Sequence, residues 1–500
     1  MSYENQICEL YFLLHKNNLH EIGSRLTLLL RSLKAKTGSI YTNNSSYLKT
    51  LYCLIGYVRD IYFGHGERDL AYMMIYIWYK FYPVLAIYAF HQFVENGSPY
   101  GCWNDIKYFC KFIARISDKG IDHPLIDVAL SCANRQLLLD IDSSICKGVS
   151  NVSKWIPREN KIEWLFEKLV VDWFSCHDVL HKYLYFSHQK KMYRQMIVGL
   201  CKRCVDDKLT IKNIFQCVSK GNCKSVITDT YDKSNDGRLS YFHDNVFIGT
   251  YIKTAVAIIG SNCIDIDTSV EAIWLNHKWC QMVASFFDNK CSGGIPVIDV
   301  SADISNESLY NAIGFACLVA IKSGLFRILL VSNKPIWIEF TNTDSICSIV
   351  NKIWSCCAYR SGSQFLVSFY FLMDALYKNN VDTSIKFFIF SQRFLFDWNT
   401  IVMHFGNNCS FVFWNIGQDI PQLKTDFYMD DHKNILFVSG CNVALFAKFC
   451  SDITVNCGSY KFLLTSLHSD RYKSLADYFD SQSSSASPTP SIVSGTSSSS

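Results

Sequence analysis

Three sets of residues have types and spacings that could do chemistry. The first is PVIDVSAD (296–303), where a short apolar run delivers Asp299, Ser301 and Asp303 into one loop. Alternate oxygen-bearing side chains on a tight loop are how a hard divalent cation such as Mg²⁺ is held. Two later loops could add oxygens: Ser363, in SGSQF ahead of a helical pattern, and Gln392, directly after the apolar run IKFFIFS. An Asp that only caps the following helix is the alternative. The second set is cationic. From Lys182 to Lys224 ten Lys and Arg, among them Lys190, Lys191, Arg194, Lys202, Arg203 and Lys212, face only Asp206 and Asp207. Tyr183, Tyr185, Tyr193 and Phe215 are interleaved with them. Clustered positive charge with aromatics is the footprint of a protein that grips phosphates and stacks on unpaired bases. A solvated helix face has the same appearance. The third set is His177 and His181, four apart in CHDVLH. On one helix they would share a face, the spacing of a zinc pair, with Asp178 where a zinc protease carries Glu. A single CxxC, Cys201 and Cys204, follows without a second pair at metal-ligand spacing. DKSNDGRLS (232–240) imitates a calcium loop but has His243 at the twelfth position, so an Asn-Asp-Gly turn is the better reading.

These residues need elements to position them. Up to about residue 290 apolar residues recur at three- and four-residue spacing, as in Leu26, Leu29, Leu30, Leu33 and in Leu51, Leu54, Ile55, Val58. That period predicts an α-helical, repeat-like module over 1–290. Past Gly293 the pattern changes. Apolar runs at 296–300, 326–332, 336–340, 385–391, 410–416 and 434–440 read as strands. They alternate with helical stretches over 308–324, closed by Gly324, and over 365–380. Near-continuous apolar strands separated by helices predict a doubly wound α/β domain over 291–470, covered on both faces. In such sheets ligands bind beyond the carboxyl ends of the strands, where Asp299 falls. Eleven of the last 20 residues are Ser, so 481–500 reads as a disordered tail.

Ordered motifs extend this reading. VRDIYFGHGERD (58–69), YGCWNDI (100–106), VSKWIPREN (152–160), KKMYRQMI (190–197), KWCQMVASFF (278–287) running into GIPVIDVS (294–301), FVFWNIG (411–417) and ILFVSG (435–440) follow one another along the chain. Together they resemble a large family known as domain of unknown function 2828, found in cellular eukaryotes and large DNA viruses. That family is similar to Ro-type ribonucleoproteins: a TROVE-like helical module followed by a von Willebrand factor A-like domain. The resemblance implies RNA on the helical module. It also implies a metal site of the Asp-x-Ser-x-Ser kind at Asp299 and Ser301. Asp303 stands at the second Ser, Ser363 at a Thr and Gln392 at an Asp, so the implied site is degenerate. The same motifs have plainer readings. Glu67 and Arg68 could lock two helices as an ion pair, and Trp155 with Pro157 could stop one helix and pack the next.

Composition narrows the classes. The 500 residues carry a net charge of +4, with 18% charged and 49% hydrophobic residues, which excludes a disordered chain. The start, MSYENQICELYFLLHKNN, lacks a basic segment followed by an apolar core, and many of the 22 cysteines lie inside apolar runs. Both point to an intracellular protein, cytoplasmic or nuclear, with reduced thiols. Leu70–Phe90 is long enough to span a bilayer, yet Lys80 sits at its centre and Pro83 interrupts it. Two buried helices broken near Pro83 fit better than a membrane span. No phosphate-binding GxxxxGK[ST] and no GxSxG elbow occurs. The expectation is a non-enzymatic binding scaffold with RNA as partner. A protein–protein adaptor and a zinc-dependent hydrolase built on His177, Asp178 and His181 remain the alternatives.

Overall fold

The computed structural model describes residues 2–14, 19–37, 45–61, 63–95, 100–142, 150–203, 248–260, 267, 269–284, 294–300, 304–331, 335–357, 370, 374, 378, 385–391, 409–416, 435–440 and 458–484. Helices fill the first part: α1 (Tyr3–Phe12), α2 (Leu19–Thr37), α3 (Ser45–Arg59), α4 (Arg68–Phe81), α5 (Pro83–Val94), α6 (Asn104–Ile116), α7 (Pro124–Asp142), the single turn α8 (Val152–Trp155), α9 (Glu163–Cys176) and α10 (Phe186–Arg203). The long apolar stretch from Leu70 divides as its proline dictates. Pro83 is the first residue of α5, where its missing N–H costs nothing, and Tyr82 before it leaves the helical region. Trp78 and Phe90, one on each helix, are fully buried, while Lys80 lies exposed with its ammonium 4.2 Å from the Tyr76 ring. Among the described residues no helix is long and apolar enough to cross a membrane.

Among the described residues the second part is built on six strands: β1 (Gly294–Asp299), β2 (Arg327–Val331), β3 (Pro335–Glu339), β4 (Ile385–Ser391), β5 (Cys409–Asn415) and β6 (Ile435–Ser439). Their order is β3-β2-β1-β4-β5-β6. All neighbours pair in parallel except β2 and β3, a hairpin at the edge. The interior strands are apolar on both faces, whereas Ile336 and Trp337 on the edge strand β3 are exposed. The chain leaves β1 toward β2 and returns to its other side with β4, so the switch point of the doubly wound sheet lies between β1 and β4. All six strands fall within a residue or two of the apolar runs that foretell them.

Helices from both ends of the chain contact the layers around the sheet. α11 (Ile248–Gly260) and α12 (Val270–Ala284) lie in the stretch assigned to the helical module, yet they pack on α13 (Asn306–Ser323) and α14 (Ile346–Cys357) of the α/β layer. Asn311 Oδ1 accepts from the Gly249 amide at 3.1 Å, and Asn276 Oδ1 from the Ile346 amide at 3.1 Å. At the other end, α15 (Gly458–Leu467) packs on β6 and also on α1 and α3, and α16 (Lys473–Ser484) closes onto α3 and α5 of the first part. Contacts thus cross the expected division at 290 and 291 in both directions, because a helix of uniform apolar character does not reveal which layer it will cover. Helix α16 also runs four residues into the expected tail, whose remainder, 485–500, lies outside the described residues. So does most of the helix expected over 365–380, although Tyr370, Asp374 and Lys378 are helical.

The contact of α11 with α13 depends on Gly314. A Cβ there would meet Ile248 Cγ1 at 2.6 Å. Gly314→Ala should destabilise the chain by about 1–3 kcal/mol through overpacking. The check is thermal unfolding, where an unchanged midpoint would contradict the close approach. Helix α13 itself starts on Ser305, whose Oγ accepts from the Ser308 amide at 3.2 Å, and stops on Gly324 at φ +71°.

Candidate functional site

Of the six cationic residues singled out in the sequence, five are described, all on α10; Lys212 lies outside the described residues. They do not form one unopposed band. Lys190 Nζ sits 3.0 Å from Glu159 Oε1 and 3.1 Å from Glu167 Oε1, and Arg194 also hydrogen-bonds Glu159. The donated bonds from Lys190 and then Arg194 hold the Glu159 carboxyl below its ordinary range. Lys191, Lys202 and Arg203 are exposed on the same helix. The aromatic partners divide as well. Tyr183 and Tyr185 are 91% and 80% exposed, but Tyr193 is 1% exposed and cannot stack on a base. Its hydroxyl donates to Asn134 Oδ1 at 2.7 Å, and its ring meets Phe166 and Trp173 edge-on. Phe215 falls outside the described residues.

What the fold assembles instead is a cleft of about 800 Å³ between the 153–166 segment and α10. Pro157 follows the single turn of α8, and a tight turn in which the Lys161 and Ile162 amides donate to the Arg158 carbonyl leads into α9 at Glu163, which leaves Arg158 and Glu159 on a loop facing α10. Lys154, Arg158, Arg194 and Lys202 line the cleft against Glu159 and Glu163. Ile156, Phe166, Ile197 and Val198 supply apolar wall. The α10 wall is fixed in place. Besides Tyr193, Gln189 Nε2 donates to the carbonyls of His181 and Lys182 at 3.0 and 2.9 Å. Asn134 Nδ2 in turn donates to Leu169 O at 2.9 Å and Asp172 Oδ2 at 2.8 Å. Four cations against two carboxylates over an apolar floor can hold a phosphate-bearing group with a flat, partly apolar body. Lys154 and Arg158 escape the reading of the sequence. The signal that could find them is the placement of both beside Trp155 and Pro157, where a broken helix must turn its side chains outward.

A second polar assembly gathers the motifs at 58–69 and 100–106 around a buried pair. Arg59 and Asp105 are both 0% exposed and meet in a fork, with Nε to Oδ1 at 2.9 Å and Nη2 to Oδ2 at 2.6 Å. The Tyr72 hydroxyl and the Cys102 amide, the latter at 2.7 Å, also donate to Asp105. Burial alone would push this carboxyl up; Arg59 and the donated bonds outweigh it and hold it below the ordinary range. Gly101 makes room for the arrangement, since a Cβ there would stand 2.3 Å from Asp105 Oδ2. Arg68, expected to pair with Glu67, instead puts Nε 3.2 Å from Asp105 Oδ1 and its guanidinium 4.6 Å from the Tyr108 ring centre. Asp60 accepts from Arg471 Nε and Nη2, each at 2.9 Å, and from the Tyr472 hydroxyl at 3.0 Å. Arg59, Asp105 and Asp60 are satisfied within the fold, while Arg68 keeps part of its side chain at the surface.

At the sheet, Asp299 closes β1 and is 1% exposed. Ser391 Oγ, at the end of β4, donates to its Oδ2 at 2.7 Å across the switch point. Ser391, Asn415 and Ser439 follow in register along the carboxyl edge. Asn415 Nδ2 reaches Phe12 O at 3.5 Å, so the end of α1 lies against this edge near β5 and β6. Ser301, Asp303, Ser363 and Gln392 lie outside the described residues. The described side chains thus bring one carboxylate and one hydroxyl together, short of the octahedral oxygen set Mg²⁺ demands. His177 and His181 do not share a helical face. Helix α9 ends at Cys176, His177 follows as its cap, and His181 lies in a separate short turn with Nδ1 2.7 Å from Asp178 Oδ1. Asp178 therefore meets the imidazole of His181. No model of a known protein family matches the chain, and no curated protein matches it significantly.

Proposed function

We propose that the helical part of this protein is a non-enzymatic RNA-binding scaffold that takes a single-stranded segment in the cleft between the 153–166 segment and α10. The observation that carries this reading is the convergence of Lys154, Arg158, Arg194 and Lys202 on one apolar-floored cleft from two separate stretches of chain. Phosphate charge supplies the affinity, and the apolar wall and the nearby Trp155 ring receive bases. Tyr183 and Tyr185 extend the surface beyond the N-terminal end of α10. The doubly wound sheet supports the finer reading of the second part as a von Willebrand A-like domain, whose carboxyl edge at Asp299 would meet a protein or an acidic ligand. The motif order supports kinship with the family named above.

The test is binding of the full chain to a labelled single-stranded RNA over a range of salt. Four engaged cations give a slope of log affinity on log salt of about −3, from roughly −0.7 per phosphate contact on a single strand. Arg158→Glu with Lys202→Glu should flatten that slope and weaken binding at low salt, with unfolding unchanged. An adaptor reading is favoured by one observation, the exposure of Leu180, Tyr183 and Tyr185 together before α10. It prevails if RNA fails to bind at low salt while a protein partner is lost from a Tyr183→Ser, Tyr185→Ser variant.

A further inference from the structure

We infer that His91, Glu95 and Cys132 form a binding site for a borderline-soft divalent cation, zinc foremost. His91 and Glu95 stand four residues apart near the end of α5, so they share one face of the helix. Cys132 comes from α7, which packs across that face. One ligand atom from each, an imidazole nitrogen, a carboxylate oxygen and a thiol sulfur, falls within 4.8 Å of the other two. His91 Nδ1 lies 3.1 Å from Glu95 Oε2, and Cys132 Sγ lies 3.0 Å from Glu95 Oε1. Zinc bonds of about 2.0–2.3 Å in tetrahedral geometry require ligand separations of roughly 3.5 Å. The two contacts on Glu95 need to lengthen by only a few tenths of an ångström to admit the ion, and the third separation is already within 4.8 Å.

The chemistry of the set points the same way. His91 Nδ1 is buried and makes no hydrogen bond among the described residues, although a carboxylate stands beside it. An imidazole nitrogen and a carboxylate oxygen directed into one small space are groups a cation can bridge. One nitrogen, one oxygen and one sulfur donor suit zinc and its neighbours, and do not suit Mg²⁺ or Ca²⁺, which take oxygen. The three ligands leave a fourth position for water or a further donor. On binding, the Cys132 S–H proton leaves to solvent as the S–metal bond forms, and the ion's charge replaces the thiol's donation to Glu95.

Arg135 is the competitor. Its guanidinium hydrogen-bonds Glu95 Oε1, and the same four residues could instead remain an ion-pair cluster with a buried thiol. The Arg135 side chain is 54% exposed and has room to withdraw or to stay on the outer oxygen.

Cobalt titration of the full chain, stripped beforehand with a chelator, distinguishes the two. A site predicts one equivalent of Co²⁺ with a thiolate-to-cobalt charge-transfer band, discharged by zinc. Because the chain has 22 cysteines, the variants decide. Cys132→Ser should abolish the band. Glu95→Gln should weaken binding by at least the roughly 10–100-fold that losing an outer-shell partner costs. Arg135→Ala, which removes a competing cation without touching a ligand, should tighten it. A band that is absent from the folded parent chain, or that persists in Cys132→Ser, overturns the site; so does weaker binding in Arg135→Ala.

Discussion

Asp105→Ala should lower the unfolding free energy by roughly 3–5 kcal/mol, the cost of leaving a buried cation without its counter-ion. Arg59 stays fully buried after the substitution, and it loses both arms of its fork. Tyr72 and the Cys102 amide lose their acceptor as well. Replacing both members, Arg59→Met with Asp105→Leu, should cost less than the two single changes added together, because no charge is then stranded. Equilibrium denaturation of the four proteins reads this directly. A small effect of Asp105→Ala, or simple additivity, would contradict a closed pair. The pH dependence has a definite sign. The folded carboxyl titrates below its unfolded value, near 3.9. Its stabilisation is therefore fully present above about pH 4 and is lost as pH falls through the folded value. Asp105→Asn should remove that acid-side component of the stability curve.

The second large effect concerns the return of the chain onto its own beginning. Arg471, in the short turn between α15 and α16, pairs with the buried Asp60 at the end of α3. Tyr472 beside it is fully buried, and Tyr478 stacks on Tyr88 at 3.6 Å between ring centres. Arg471→Ala removes both guanidinium bonds to the buried Asp60 carboxylate, so a loss toward the lower end of roughly 3–5 kcal/mol is expected. Arg471→Lys should recover only part of it, because a single ammonium does not reproduce the two parallel bonds. Hydrogen exchange should report the loss first in 458–484 and then in α3. Uniform acceleration throughout the chain, with no lead in those residues, would contradict a clasp that holds the C-terminal helices to the first part.

How far the sequence discloses this architecture depends on the range of the interaction. Strands β1 to β6 announce themselves because each is apolar on both faces and bounded by turn residues, and Pro83 fixes the break between α4 and α5. These are local facts. The pairing of Lys190 with Glu159 across 31 residues, or of Arg471 with Asp60 across 411, is not, and it is the reason a run of cations overstates the exposed charge. Tyr193 misleads in the same way: its place in the run suggests exposure, and its contacts with Asn134, Phe166 and Trp173 come from other helices. Lys154 and Arg158 reach the cleft only because the 152–163 segment folds against α10. The cluster of His91, Glu95 and Cys132 shows half its signal, the four-residue spacing on α5, and keeps the other half on α7. The contacts of α11 and α12 across the boundary expected at 290 are not legible either, because these helices are as apolar and as helical as their predecessors and differ in what they cover.

The most direct test of the RNA-binding claim is photocrosslinking of the purified full chain to single-stranded RNA, with the contact peptides mapped by mass spectrometry. The predicted result is contacts concentrated in 152–163 and 190–203 and suppressed by Arg158→Glu with Lys202→Glu. Crosslinks that map elsewhere, or none at low salt from a folded protein, would contradict it.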